Sequence, residues 1–364
     1  MIFRDTERSL LVGQIRNDYP VTEDVHLQFG NCGLRIQSNS GLVISELKQY
    51  FSAFVRQPKA VDRIISVHQA DEVCVNLPFA VREPDPGKTR IKEEYVDIPH
   101  GRIVRKRLTG MVFIFGGNDH VVIGPCLENL NQVVNFINNR YIEWQIIRGG
   151  ILGHAAGVRL YNKGLALAGF SGMGKSTLAL HLVSQGADFV SNDRLILEKT
   201  ESGIWMHGVG KLPRVNPGTI LNNPSLQGLL PPQDYRRFAS LSKDELWNME
   251  HKYDVPIDRF FGTNRFKLRT PLDALIILNW KHNDQPTQMR PVNIEIRRDL
   301  LPAFIKSTGL FFLPEHSDQV PDLSENAYTR FLKLSQVFEI CGGVDFKAAA
   351  KACMQWAQIR MSSF

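Results

Sequence analysis

The segment Gly169-Phe170-Ser171-Gly172-Met173-Gly174-Lys175-Ser176-Thr177 constrains this chain more than any other stretch. It satisfies G-x-x-x-x-G-K-S/T, the Walker A or P-loop pattern, and it follows an apolar run (Leu165 to Ala168) and opens a helical pattern from Ser176 to Ser184. That setting is what a phosphate-binding loop demands. Glycines at 169, 172 and 174 permit backbone angles that a side chain forbids, so successive N–H groups can curl around a phosphate. A helix N-terminus adds its dipole to the same anion. The pattern predicts that Gly169, Ser171, Gly172, Met173, Gly174, Lys175, Ser176 and Thr177 bind the phosphates of ATP or a related nucleoside triphosphate. Lys175 would reach them as a point charge, and the Ser176 hydroxyl would complete the coordination of Mg²⁺, a hard cation. The bland alternative is a glycine-rich turn with no ligand.

Such a loop positions phosphate and metal but still needs an acid or a base. Val190-Ser191-Asn192-Asp193-Arg194 ends the next expected strand, at the edge where open α/β sheets gather their ligand-binding groups. Asp193 is therefore a candidate for holding magnesium or polarising an acceptor hydroxyl, against the alternative of an aspartate that caps a turn.

At 364 residues the chain is long enough for two units on a prior of roughly 150 residues per domain. Hydrophobic residues make up 43% and charged residues 22%, which argues against a wholly disordered or fibrous protein. The net charge is +6, but the lysines and arginines are scattered, so a nucleic-acid partner is not expected. The densest basic stretch, Arg102 to Arg107, includes Ile103 and Val104 and reads as a half-exposed strand. Five cysteines without a C-x-x-C pair suggest neither a zinc site nor a disulfide framework, and a reducing cytoplasm is the expected setting. The charged Met1 to Arg8 segment and the lack of an 18-residue apolar run argue against secretion and membrane spanning.

Val25–Phe29, Leu34–Gln37, Arg63–Val67, Glu72–Val75, Met111–Phe115 and His120–Gly124 read as strands, and Ser45 to Phe54 as an amphipathic helix. Arg82 to Lys88, with two prolines, reads as an exposed loop. A helix is expected from Leu127 to Ile147, stopped by Gly149-Gly150. Gly157 to Ala168 reads as one or two strands, and Pro271 to Trp280 as a buried one. We divide the chain into a β-rich α+β domain (1–125), an α/β core opened by the linking helix (126–325), and two C-terminal helices packing on the core (326–364), broken at Cys341-Gly342-Gly343. The apolar stripes of those helices read as structural, with an oligomer face as one use.

From about His154 to Asp193 the chain resembles HPr kinase/phosphorylase and its diverged relatives, the HPr kinase-related kinases. The family's loop reads G-x-S-G-x-G-K-S, which Gly169 to Ser176 match, Ser171-Gly172 included. The family also carries a catalytic histidine fifteen residues before the loop's first glycine, and His154 has that spacing. Its A-D-D-R segment aligns with Ser191-Asn192-Asp193-Arg194, so Asn192 stands where the family has its proposed general base. An amide cannot take a proton from a hydroxyl. Either His154 or Asp193 then serves as base, or transfer proceeds by positioning and charge stabilisation. Fainter matches are His207 to Gly210 and Arg290-Pro291.

The resemblance implies a P-loop core of the HPr kinase/PEP carboxykinase-like type and an ATP- and Mg²⁺-dependent kinase. Its γ-phosphoryl group would go to a hydroxyl of a protein serine or of a small molecule, with His154, Lys175, Asp193 and Asn192 as the catalytic set. Arg194, Lys211, Arg214 and Arg290 are candidate clamps, each with surface charge as the alternative. Tyr253 to Gly262 reads either as a gate of the acceptor pocket or as packing. A catalytically weakened, ATP-binding regulatory switch is the rival reading, and Asn192 is the residue that favours it.

Overall fold

The computed structural model describes residues 2–3, 7–71, 73–83, 90–249, 251–316 and 319–359. Glu72, positions 84–88 of the expected loop, and Arg360 and Met361 of the expected C-terminal helix lie outside the described residues. The protein is mixed α/β with several sheets and divides into two compact units. One is Met1–Arg148 with Thr308–Val320; the other is Gly149–Ser307 with Pro321–Phe364. Among the described residues no helix is long and apolar enough to cross a membrane.

The first unit is built on an eight-stranded sheet whose strands lie in the spatial order Glu23–Phe29, Cys32–Ser38, Arg63–Gln69, Asp119–Gly124, Val112–Gly116, Gly101–Lys106, Glu93–Ile98, Ala80–Val81. Alternation of side chains gives the sheet two apolar faces. Ile103, Val112, Ile114, Val121 and Ile123 pack against Leu11, Val12 and Ile15 of the helix Arg8–Asp18, which no sequence signal had suggested. Phe113 and Phe115 face the other way and meet Phe136 of the helix Leu130–Ile147, at ring separations of 5.2 and 6.0 Å. The basic stretch is a half-exposed strand whose Arg102, Arg105 and Lys106 pair with Asp97, Glu94 and Glu93 of its neighbour.

The helix Leu130–Ile147, expected at the head of the second domain, lies in the first unit. Its Arg140 is fully buried, donates to Glu143 at 2.9 Å and to the carbonyl of Phe311, and lies over the Phe115 ring at 4.4 Å. The Phe311 ring packs among Phe113, Phe115 and Phe136, which returns residues 308–320 to this unit. Sequence periodicity reports that a helix is amphipathic, not which sheet its apolar face will meet.

In the second unit a six-stranded sheet carries the residues of interest. We label its strands β1 (Ala155–Leu160), β2 (Lys163–Gly169), β3 (Asp188–Ser191), β4 (Ala274–Leu278), β5 (Gln288–Pro291) and β6 (Gln336–Cys341), and its two flanking helices α1 (Lys175–Ser184) and α2 (Phe346–Ile359). Their spatial order is β3-β1-β2-β4-β6-β5. β1 and β2 form a hairpin whose two turn residues, Tyr161 and Asn162, take φ of 49° and 64°, the left-handed pair that matches the twist of the flanking strands. β2, β4 and β6 run parallel, and β3 is antiparallel to β1. A second sheet, formed by Ile151–Gly153, Leu195–Thr200, Gly203–His207 and Arg269–Pro271, contributes Ile151, Leu195, Leu197, Ile204 and Met206 to the same core as Ala166, Ala168, Leu275 and Ile277 of the first.

The C-terminal region corrects the two-helix reading. A short helix, Glu325–Leu332, is followed by β6, and only the segment after the glycines is a full helix. Six residues are too few for periodicity to separate a strand from a helical turn, and parallel pairing with the buried β4 decides the outcome.

Loss of the Glu143 carboxylate would leave the Arg140 guanidinium buried with its counter-charge removed. Glu143→Ala is expected to destabilise the first unit by about 3–5 kcal/mol, read as a lower denaturation midpoint in urea with the slope unchanged.

Candidate active site at one edge of the second unit's sheet

The β1–β2 ladder ends with Ala155 paired to Ala168, so His154, one residue before Ala155, stands at the end of the hairpin from which Gly169 leaves. The fifteen-residue spacing seen in the sequence is thus the length of a hairpin folded back on itself. Because β3 is antiparallel to β1, it runs in the direction of β2, and its end delivers Asn192 and Asp193 to the same sheet edge.

His154 Nε2 lies 3.1 Å from Asp193 Oδ1, and Lys306 Nζ donates to Asp193 Oδ2 at 3.2 Å. Lys306 belongs to no motif and is 113 residues from Asp193 in sequence. It is brought here by the segment before it: the backbone N–H of His154 donates to Phe304 O at 2.6 Å, and Ile305 bridges to Gly153. A side chain at Gly153 would strike the Phe304 ring at 2.3 Å, so only glycine lets that segment lie so close. The Asp193 carboxylate is 52% exposed. Crowding pushes its pKa up, but the His154 hydrogen bond and the charges of Lys306 and Arg194 prevail and hold it well below the usual carboxylate range.

The glycine-rich loop leaves β2 at Gly169 and enters α1 at Lys175. Gly172 and Gly174 both have φ of 83°, a left-handed conformation that favours glycine. Ser171 and Gly172 are exposed, and Met173, Gly174, Ser176 and Thr177 are half-buried. Lys175 is only 8% exposed and folds back on the loop, donating to Gly169 O at 2.7 Å and Phe170 O at 3.2 Å. Burial pushes its pKa down to about 8, with Asp193 opposing and Lys306 and Lys252 reinforcing the shift. The Thr177 hydroxyl turns instead to that of Thr219, 2.8 Å away.

Of the four cations singled out by sequence, three lie in this neighbourhood. The chain after Gly203–His207 passes so close to β3 that a side chain at Gly208 would meet Val190 O at 1.9 Å, and Val209 N–H donates to Ser191 Oγ at 3.4 Å. Lys211 follows; burial and the neighbouring Arg194 guanidinium push its pKa down. Arg214 pairs with Asp254 at 3.2 Å. Arg290 does not join them: it sits on β5, at the far edge of the sheet, and bonds to Gln288. His207 is buried against Glu198 at 2.7 Å, in the second sheet. In the segment from Tyr253 to Gly262, Tyr253–Asp254 pair with Arg214–Val215, and Ile257–Phe261 form a single helical turn.

Asn192 is half-buried, and its Oδ1 is enclosed without a hydrogen-bond partner. Among the described residues no group of three or more His, Cys, Asp or Glu side chains could hold a metal ion.

No family model matches the chain. Among curated proteins it is similar to the HPr kinase/phosphorylase of Clostridium tetani, 30% identical over 132 residues, or 34% of this chain and 41% of that protein. It is also similar to that of Clostridium acetobutylicum, 26% identical over 132 residues, or 34% and 40%. That of Pediococcus pentosaceus is 30% identical over 92 residues, or 25% and 26%. The chain is thus distantly related to HPr kinase/phosphorylase over about a third of its length, and it spans well under half the length of these relatives. Among solved structures, the Hpr(Ser) kinase/phosphatase of Coxiella burnetii aligns with 58% of this chain and 99% of its own, at 13% identity and a TM-score of 0.30, too loose a superposition to carry detail.

The buried Lys175 gives a stability signature with a definite sign. A lysine whose folded pKa lies below its unfolded value destabilises the fold at pH values below both, and the penalty fades as pH rises through that interval. Lys175→Met is therefore expected to raise unfolding stability at pH 7 by on the order of 1–3 kcal/mol. The gain should shrink as the pH is taken from about 8 toward 10.5 in chemical denaturation.

Proposed function

We propose that the chain is an ATP- and Mg²⁺-dependent phosphotransferase of the HPr kinase-related type, with a P-loop core in the second unit, acting on a hydroxyl of a protein serine or of a small molecule. The observation that carries this reading is the convergence on one sheet edge of the glycine loop, His154, Asp193 and Lys306. The distant relationship to HPr kinase/phosphorylase supports it.

In this reading Lys175 leaves the carbonyls of Gly169 and Phe170 for the nucleotide phosphates, and the anion restores the lysine's preference for its charged form. The backbone N–H groups of the loop and the first turn of α1 bind the β-phosphate. The Ser176 hydroxyl and the Asp193 carboxylate fit magnesium: both are hard oxygen donors, and Asp193 stays ionised and half-open to solvent. An ion of this kind is held by one or two protein oxygens together with phosphate oxygens, so a larger acidic cluster is not required. When bound, magnesium neutralises charge on the β- and γ-phosphates.

The acceptor oxygen forms a bond to the γ-phosphorus as the bond to the bridging oxygen of ADP breaks, and the acceptor proton leaves toward the His154–Asp193 pair. Asn192 supplies an amide and no base. Lys306 and Arg194 stabilise the charge of the transferring group.

Incubation with γ-labelled ATP and magnesium, in the presence of a host lysate, should move label into a discrete acceptor. Lys175→Ala should lower that transfer at least about 100-fold, and near-parent turnover in the variant would sink the mechanism. The partnerless Oδ1 of Asn192 favours a second reading, a nucleotide-binding switch with weakened catalysis. Asn192→Asp separates the two: a large gain in transfer marks a weakened kinase, whereas ATP binding with no transfer in either form marks a switch.

A further inference from the structure

Two aromatic residues that the proposed mechanism leaves unused grip the glycine loop from the side of β4 and α2. Trp280 lies two residues past the end of β4, the strand that neighbours β2, and is 2% exposed. Its indole N–H donates to Met173 O at 3.1 Å. Phe346 is the first residue of α2, and its ring carbons lie 2.4 and 2.6 Å from where a Cβ on Gly174 would stand. The two rings meet edge to face with centroids 4.9 Å apart, and the His181 imidazole of α1 stacks on Phe346 at 5.9 Å and 11°.

Both residues are themselves held. The Asp345 carboxylate caps α2 by accepting from Lys347 N at 2.9 Å and Ala348 N at 3.0 Å, which fixes the position of Phe346. The segments after β4 and β6 are tied through Lys281 N to Gly342 O at 2.8 Å and Asn279 N to Ile340 O at 2.9 Å.

We infer that Trp280 and Phe346 are positioning residues that set the Met173–Gly174 peptide, and through it the direction of the loop's N–H groups, for a nucleoside triphosphate. The inference rests on the reading of this loop as a phosphate site. Trp280 anchors a carbonyl of the loop, which turns the opposite, N–H side of the peptides toward the concavity. Phe346 occupies the space that would let Gly174 leave its left-handed conformation. No local pattern around Gly169 to Thr177 announces either residue, because they come from the ends of two other elements.

The test uses the full chain labelled with 5-fluorotryptophan, whose five tryptophans give five ¹⁹F resonances, and Trp280→Phe identifies the one of interest. On titration of the parent with MgATP, the Trp280 resonance is expected to move more than the other four. Calorimetry should show the MgATP Kd raised about tenfold in Trp280→Phe and in Phe346→Leu, the loss of roughly one hydrogen bond's worth of preorganisation. If the parent binds MgATP while the Trp280 resonance stays still and both variants bind as the parent does, the positioning role is wrong and the phosphate-site reading stands. A lowered melting temperature with Kd unchanged would likewise assign the two rings to packing alone. A parent that binds no MgATP overturns the reading of the loop and the inference with it.

Discussion

The antiparallel register of β1 on β2 is the constraint from which the site follows. Pairing of Ala155 with Ala168 across a two-residue turn brings His154 and Gly169 to the same end of the hairpin. Both faces of β1 are buried, Ala155 on one and Val158 and Leu160 on the other, so a slip of one residue would exchange small and large side chains between two packed faces, and the core itself protects the register. From that fixed pair the rest is added by adjacency. β3 lies on one flank and delivers Asp193, β4 lies on the other, and the segment ending in Lys306 hangs on the backbone of Gly153 and His154.

The site is also a place where the fold tolerates cost. Lys175 is buried, Gly174 is held in a left-handed turn beside the Phe346 ring, and the side-chain oxygen of Asn192 is enclosed and unsatisfied. The buried charge of Lys175 and the unsatisfied oxygen of Asn192 oppose stability. Departures of this kind from local consistency gather where function asks for geometry that folding alone would not choose. Asp193 is a contrast, since its carboxylate gains from every partner that the fold brings to it.

How much of this was legible in the sequence follows from the range over which each signal acts. The glycine loop and α1 were legible because their chemistry is local: nine consecutive residues specify both backbone freedom and the helix start. Asp193 was singled out by its place at the end of an expected strand, and His154 by the fifteen-residue spacing that the family resemblance supplied. Lys306, Trp280 and Phe346 carry no local signal, since each reaches the edge through pairings between segments over a hundred residues apart. The same limit explains β6, where a short run with a helical-looking stripe is claimed by a parallel partner, and the helix Leu130–Ile147, whose amphipathic face did not reveal its sheet. Arg290 shows the opposite failure, a motif-like fragment whose strand lies at the wrong edge.

The path of the backbone through the two units has a consequence for how the protein comes into being. Lys306 belongs to the second unit, yet two residues later the chain re-enters the first, staying there from Thr308 to Val320 before it returns. Neither unit is a continuous stretch of the gene. A ribosome that has made everything up to Arg148 has not finished the first unit, because the carbonyl that Arg140 requires and the ring that fills the space among Phe113, Phe115 and Phe136 both belong to Phe311. The two halves therefore share a folding schedule. The first lacks its Phe311 contacts until Gly149–Ser307 of the second has been synthesised, with Pro321–Phe364 of the second still to follow, and a cut at any single point in the sequence cannot separate the two units into continuous pieces.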